Sequence, residues 1–261
     1  MSALLELRDV GISFGGLRAV DELSFAVEQG TIVGLIGPNG AGKTTVFNMI
    51  TGVYRPSDGE ILWQGEKITG AAPHRVAALG VRRTFQTIRL FPEMSVFENV
   101  RAGCHLRARQ HWWQGLLAMP AQKREEAALA ERTHDVLRRL DLGQVADEPA
   151  TSLPYGMQRR VELARTLVGE PKLVILDEPA AGLNDAESTA LNETIFAIRE
   201  SGVTVLLVEH DMNVVMNVTD HIVVINFGRM IAQGNTEAIR NNPAVIEAYL
   251  GSEDDGTEVA A

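Results

Sequence analysis

Cysteine is almost missing from this chain of 261 residues: Cys104 stands alone, so no internal disulfide can form. A lone thiol fits a reducing compartment and reads as a small buried hydrophobe, not as a metal or redox centre. Long apolar runs are missing too. Stretches such as Leu173–Leu176 and Val203–Val208 fall far short of the roughly 18 residues needed to cross a bilayer, so the chain is not expected to span a membrane by itself. No basic segment followed by an apolar core opens the sequence, and no signal peptide is expected. Positive charge is in deficit. With 24 Lys and Arg against 34 Asp and Glu, the net charge of −10 gives no general attraction to nucleic acid, which is not an expected partner. No internal repeat is evident. What remains is an ordinary globular balance, 45% hydrophobic and 22% charged, in a chain long enough to bury a sizeable core.

The most informative stretch is Gly37-Pro38-Asn39-Gly40-Ala41-Gly42-Lys43-Thr44-Thr45, placed between an apolar run (Thr31–Ile36) and a helix expected over Thr45–Ile50. This is the G-x-x-x-x-G-K-[ST] pattern. Its glycines let backbone N–H groups converge on phosphate oxygens, Lys43 carries a fixed cation, and the Thr44 hydroxyl can ligate Mg²⁺. A nucleoside triphosphate is the expected ligand.

Strand-like runs around Phe14, Phe25 and Ile32, broken at Gly15-Gly16 and Gly30, predict a small antiparallel layer leading into the nucleotide strand. A further β segment, Gly59–Trp63, follows the turn-like Pro56–Gly59. From about residue 93 to 170 the pattern becomes helical, with Arg, Glu, Ala and Leu dominating Gln122–Leu142. Strand signals return at Lys172–Leu176, Thr204–Val208 and His221–Ile225, separated by helical stretches around Ala190–Arg199 and after Asp211. Strands alternating with helices predict an α/β phosphate-loop core built on a parallel sheet, with the antiparallel β layer and an inserted helical subdomain. The core is expected over about residues 1–85 and 166–251, the insertion over 86–165, and an acidic, disordered tail over 252–261.

Leu173-Val-Ile-Leu176 predicts a buried strand that delivers Asp177 and Glu178 at its C-terminal end, where open parallel sheets place their ligand chemistry. Asp177 suits Mg²⁺ held through its water shell, and Glu178 suits accepting a proton from the water that attacks the γ-phosphate.

Between and after these two motifs, over about residues 4–250, the chain resembles the ATP-binding subunit of an ABC transporter. Four ordered segments carry the resemblance. Arg83-Thr-Phe-Gln86 resembles the Q-loop, and Leu153-Pro-Tyr-Gly156-Met-Gln-Arg-Arg160 the signature. Pro179-Ala-Ala-Gly-Leu-Asn184 stands at the D-loop and Val208-Glu-His210-Asp at the H-loop. The resemblance implies that Phe14 stacks on adenine, that Gln86 reaches Mg²⁺ and the nucleophilic water, and that His210 contacts the γ-phosphate. It also implies that the signature, here with Tyr155 and Gly156, binds the γ-phosphate held by a second ATPase subunit.

Two segments depart from the commonest family form. In the signature, Pro154, Tyr155 and Met157 replace Ser, Gly and Gln, which removes a hydroxyl hydrogen bond typically worth about 1.5–3 kcal/mol. In the D-loop, Ala181 and Asn184 replace Ser and Asp. An asymmetric pair with a non-identical ATPase partner is expected.

Leu-Pro-Tyr-Gly156, Asp177-Glu-Pro-Ala-Ala-Gly-Leu-Asn184, Glu209-His-Asp-Met212, the long stretch His105–Glu131 and Asn242–Gly251 resemble the larger ATPase subunit of branched-chain amino acid importers. That likeness implies two separate permease subunits, a periplasmic or extracellular solute-binding protein reached through them, and a peripheral place on the cytoplasmic face of the inner (plasma) membrane. Amides, urea or other amino acids are the alternative cargoes. A soluble ABC ATPase of DNA repair or translation would show a coiled-coil insertion or a second ATPase domain, and a non-catalytic scaffold would not retain Lys43, Asp177, Glu178 and His210 together. Trp112-Trp113 is read as a local hydrophobic contact within the helical insertion, with permease docking as the lesser reading.

Overall fold

The computed structural model describes residues 3–84, 87–106 and 120–254. Trp112 and Trp113 lie outside them, as do Gln86 and residues 255–261. The chain divides into two compact units. The first comprises residues 1–83, 172–180 and 198–261, and the second comprises 84–171 and 181–197.

The first unit holds both sheets. Strands β1 (Ala3–Phe14) and β2 (Leu17–Glu28) pair antiparallel, and β1 also pairs with β4 (Asp58–Trp63), which carries the short β5 (Glu66–Lys67), in the order β2-β1-β4-β5. The second sheet contains β3 (Ile32–Ile36), β6 (Val81–Arg83), β7 (Leu173–Asp177), β8 (Thr204–Val208), β9 (His221–Asn226) and β10 (Arg229–Gly234) in the order β10-β9-β3-β8-β7-β6. All its pairings are parallel except that of β10 with β9. Every residue of β3, β7 and β8 is buried, as a parallel sheet covered on both faces requires.

Because β8 lies between β3 and β7, the chain exits from β3, β8, β7 and β6 stand side by side at one edge of the sheet. Strand order, not sequence order, therefore decides which loops meet. Helices α1 (Lys43–Ile50), α2 (Pro73–Ala78), α7 (Met212–Val218), α8 (Thr236–Arg240) and α9 (Pro243–Asp254) complete this unit. The last helix runs to Asp254, three residues into the stretch expected to be a disordered tail; Val245 is buried with Val215 and Ile239, and this packing of its first half anchors a segment whose far end is acidic.

The second unit is helical. It contains α3 (Val96–Ala102), α4 (Pro120–Arg139) and α5 (Tyr155–Leu167), and it takes the first three turns of α6 (Asp185–Glu200). Ser95 caps α3 through a reciprocal box with Glu98. Val96, Val100, Leu137, Leu140, Val161 and Leu163 are buried within it. Inside α5, Arg159 and Glu162 form an ion pair of 2.7 Å that is almost completely buried.

Candidate nucleotide site

The loop after β3 is shaped by close approaches that only glycine tolerates. A Cβ on Gly37 would lie 2.0 Å from the Ile225 carbonyl oxygen of β9. Gly42, with φ +102, precedes α1 and has the Ala19 carbonyl 2.8 Å from where its Cβ would stand. The Ala41 carbonyl accepts the Gly228 N–H at 3.0 Å, which ties the turn between β9 and β10 to the loop. Pro38 is half-buried, while Asn39 and Gly40 face solvent. Thr44 and Thr45 occupy the first turn of α1, whose leading N–H groups have no acceptor inside the helix and are therefore available to an anion.

Lys43 is buried, and its ammonium turns back to donate to the carbonyls of Gly37 at 2.6 Å and Pro38 at 2.9 Å. Burial pushes its pKa down, opposed by the nearby charges of Glu178 and Asp177. From α9, the Tyr249 phenol is largely buried, and that burial pushes its pKa up to about 12.

At the end of β7, Asp177 is buried. Its Oδ2 accepts from Arg83 Nη2 at 2.6 Å, Arg83 Nη1 donates to Asn48 Oδ1 at 2.7 Å, and the guanidinium lies 5.6 Å from the Phe47 ring centroid. The next residue, Glu178, adopts φ +45 and donates its N–H to the Val208 carbonyl at 2.9 Å. His210 follows β8 with its side chain about half exposed, and its Nδ1 is 3.9 Å from Glu178 Oε1 and 3.9 Å from Glu209 Oε2.

Glu209 itself is fully buried. Its Oε1 accepts the Ala180 N–H at 2.7 Å, and its Oε2 accepts those of His210 at 3.1 Å and Asp211 at 3.4 Å. Burial pushes its pKa up, while these three N–H donors pull the other way.

A hydroxyl at Thr44 and a carboxylate at Asp177 are hard oxygen donors, the kind that Mg²⁺ takes in small number when substrate phosphates supply other ligands. No cluster of three or more His, Cys, Asp or Glu suited to a metal occurs among the described residues, so the chemistry fits a metal shared with a nucleotide and not a cage of protein ligands.

Phe14 ends β1 half-exposed, and its ring meets Tyr54 edge-on with centroids 5.2 Å apart. In the helical unit, Pro154 stands before α5, and its carbonyl takes the Met157 and Gln158 N–H groups at 2.9 and 3.0 Å. Tyr155 is exposed, with its ring 3.6 Å from where a Cβ on Gly182 would be. Gly156 has Glu187 Oε1 2.9 Å from the same hypothetical position. Asn184 and Glu187 cap the start of α6 reciprocally, each accepting the other's backbone N–H at 3.0 Å.

The first unit thus brings Lys43, Asp177, Glu178 and His210 to one sheet edge, while Tyr155 and Gly156 sit together in the second. Sequence reasoning missed three residues of this neighbourhood. Arg83 has no signal of its own in the sequence, and its ion pair needs the pairing of β6 with β7. Tyr54 carried no signal beyond being aromatic. Glu209 was visible as a charged residue directly after five buried strand residues, which is a sequence cue for a buried carboxylate.

The chain matches the ABC transporter family over residues 20–181 and the branched-chain amino acid ATP-binding cassette transporter family over residues 229–255. It is 47% identical to the high-affinity branched-chain amino acid transport ATP-binding protein BraF of Pseudomonas aeruginosa, over 95% of this chain and 98% of that one. It is 45% identical to the corresponding protein LivG of Escherichia coli K12, with the same coverage. Among solved structures, an ATP-binding cassette of an ABC transporter in its ADP conformation superposes with a TM-score of 0.83 at 29% identity, covering 96% of this chain and all of that one.

Proposed function

Because the chain belongs to the ATP-binding subunits of ABC transporters, which bind ATP and couple its hydrolysis to transport, we propose that it powers the import of branched-chain amino acids. The similarity to BraF and LivG over 95% of the chain, together with the C-terminal match over residues 229–255, supports that cargo. The proposed assembly pairs this chain with a second, non-identical ATPase subunit and two membrane permeases, supplied from outside by a solute-binding protein. No helix among the described residues is long and apolar enough to cross a membrane, so attachment at the cytoplasmic face would run through those permeases.

Residues 1–251 act as one ATP-binding domain in this reading, with residues 86–165 as its helical insertion. The observation that carries the site is the shared sheet edge: the phosphate loop after β3, Glu209-His210 after β8 and Asp177-Glu178 after β7 lie on adjacent strands. Phe14 lies against adenine, and residues 37–45 cradle the phosphates with Lys43 turning its ammonium from the loop carbonyls to the β- and γ-phosphates. Thr44, Asp177 and Gln86 would hold Mg²⁺, which neutralises phosphate charge when bound. Glu178 accepts the proton of the attacking water, and His210 holds the γ-phosphate. Tyr155 and Gly156 serve the nucleotide of the partner ATPase, with the α5 N-terminus supplying the attraction that the missing Ser hydroxyl does not.

Glu178→Gln, with ATP present, would stabilise the closed pair for isolation from gently solubilised membranes. Recovery of two hydrophobic permeases and a second ABC ATPase, followed by leucine uptake in vesicles reconstituted with the wild-type complex, is the expected result. Recovery of only soluble proteins or nucleic acid would overturn the transport reading, and uptake of amides or urea in place of leucine would overturn the cargo.

A further inference from the structure

Three consecutive residues, Glu178-Pro179-Ala180, leave β7 with two backbone donors, because proline has no N–H. Both donors are taken by consecutive residues of the neighbouring strand exit. Glu178 N–H goes to the Val208 carbonyl at 2.9 Å, and Ala180 N–H goes to the Glu209 carboxylate at 2.7 Å. The other oxygen of that carboxylate holds the N–H groups of His210 and Asp211. A single buried side chain therefore grips the backbone on both sides of the gap in which Glu178 Oε1 and His210 Nδ1 stand 3.9 Å apart.

The simpler role, capping α7, is already filled. Asp211 is the cap residue of that helix, and its Oδ1 accepts the Asn213 N–H at 2.8 Å. A carboxylate in the interior costs free energy unless its hydrogen bonds are satisfied, as these three N–H groups satisfy them here, and a fully satisfied buried network rigidifies the geometry it holds. Glu178 also sits at φ +45, a conformation unfavourable for a residue with a Cβ, which persists only when its surroundings enforce it.

We propose that Glu209 is a positioning residue for ATP hydrolysis: its carboxylate locks the exits of β7 and β8 together and so fixes Glu178 relative to His210. The proposal rests on the reading of Glu178 and His210 given above. Glu209 does not touch the nucleotide. Its removal should leave nucleotide binding intact and impair the reaction.

The test uses the assembled transporter. Glu209→Gln keeps the shape but turns an amide NH₂ towards backbone N–H groups, whereas Glu209→Asp keeps the charge and shortens the reach. The Gln variant should lower kcat at least tenfold with KM for ATP, and the Kd of a fluorescent ATP analogue, within twofold of wild type; the Asp variant should restore part of kcat. Combined with Glu178→Gln, Glu209→Gln should add less than a twofold further loss, because it acts through the residue already replaced. A kcat within twofold of wild type, a loss in nucleotide affinity matching the loss in kcat, or fully multiplicative losses in the double variant would each overturn the proposal. If the Gln variant merely unfolds, kcat per folded molecule, counted by bound nucleotide, would stay at the wild-type value, which also overturns it. Wild-type turnover by Glu178→Gln alone would instead overturn the underlying reading of the site.

Discussion

Replacing Arg83 with Met should make the protein less stable without nucleotide and yet less demanding of Mg²⁺. The guanidinium donates to Asp177 at 2.6 Å and to Asn48 at 2.7 Å, and it lies over the Phe47 ring. Both side chains of the ion pair are mostly buried, at 17% and 10% exposure, so solvent screens it weakly. A hydrogen bond between charged groups contributes about 1.5–3 kcal/mol and the one to Asn48 about 1. Breaking a fully buried pair from one side costs about 3–5 kcal/mol. The two routes meet near 3 kcal/mol for this partly screened pair, and Met retains the packing of the aliphatic stem. In a chain of this size that corresponds to a fall in Tm of about 6–12 °C. The second effect has the opposite sign for function. Asp177 is the proposed Mg²⁺ residue, and a guanidinium already bound to its Oδ2 repels a doubly charged cation about 6 Å away by roughly 5–6 kcal/mol at an effective dielectric near 20, before screening by salt. Without Arg83, half-saturation by Mg²⁺ in ATP binding should drop roughly tenfold or more, one factor of ten for each 1.4 kcal/mol. Thermal melts without nucleotide and Mg²⁺ titrations of a fluorescent ATP analogue measure the two effects separately. An unchanged Tm, or a Mg²⁺ requirement that rises, would refute the reasoning.

Tyr54→Leu should loosen the Phe14 ring, and an edge contact of about 0.5–1.5 kcal/mol translates into a roughly 2- to 10-fold weaker Kd for ATP, read by fluorescence, with kcat unchanged. Asn184→Ala removes the cap of α6 and should cost about 1 kcal/mol in urea melts, whereas Asn184→Asp keeps the acceptor, adds a favourable charge at the helix start and should melt at or slightly above wild type. Tyr249 supplies a pH test. Its phenol stays protonated in the folded chain up to about 12 but ionises near 10 when unfolded, so the native state holds the extra proton and stability falls as pH rises between those values. Tyr249→Phe should flatten that decline in melts taken from pH 9.5 to 11.5, and an identical slope in both proteins would exclude Tyr249 as its source.

Much of the fold was legible because its signals are local. The run Leu173–Leu176 predicted β7, Thr204–Val208 is β8 residue for residue, and Gln122–Leu142 anticipated α4. Short elements carried too little periodicity to be read. Strand β6 spans only Val81–Arg83, and α8 has five residues. Strand β10 was missed because Arg229–Gly234 alternates weakly and pairs at the edge of the sheet. Three turns of α6 belong with the helical unit although they lie beyond β7 in sequence, a division that only contacts could reveal.

Spacing along the chain sufficed for the phosphate loop and for the acidic pair after an apolar run, because each is a strand end followed by residues whose chemistry acts within a few bonds of the backbone. The partners of those residues belong to another level. Arg83 reaches Asp177 across 94 positions, and Glu209 reaches Ala180 across 29, because β6, β7 and β8 are neighbours in a sheet whose order differs from the order of the chain. Crossover connections set that order, and the pairing energy resides in contacts between segments distant in sequence. Local chain chemistry thus marks which groups can carry the reaction, while the packing of distant segments determines which buried charges hold them in place.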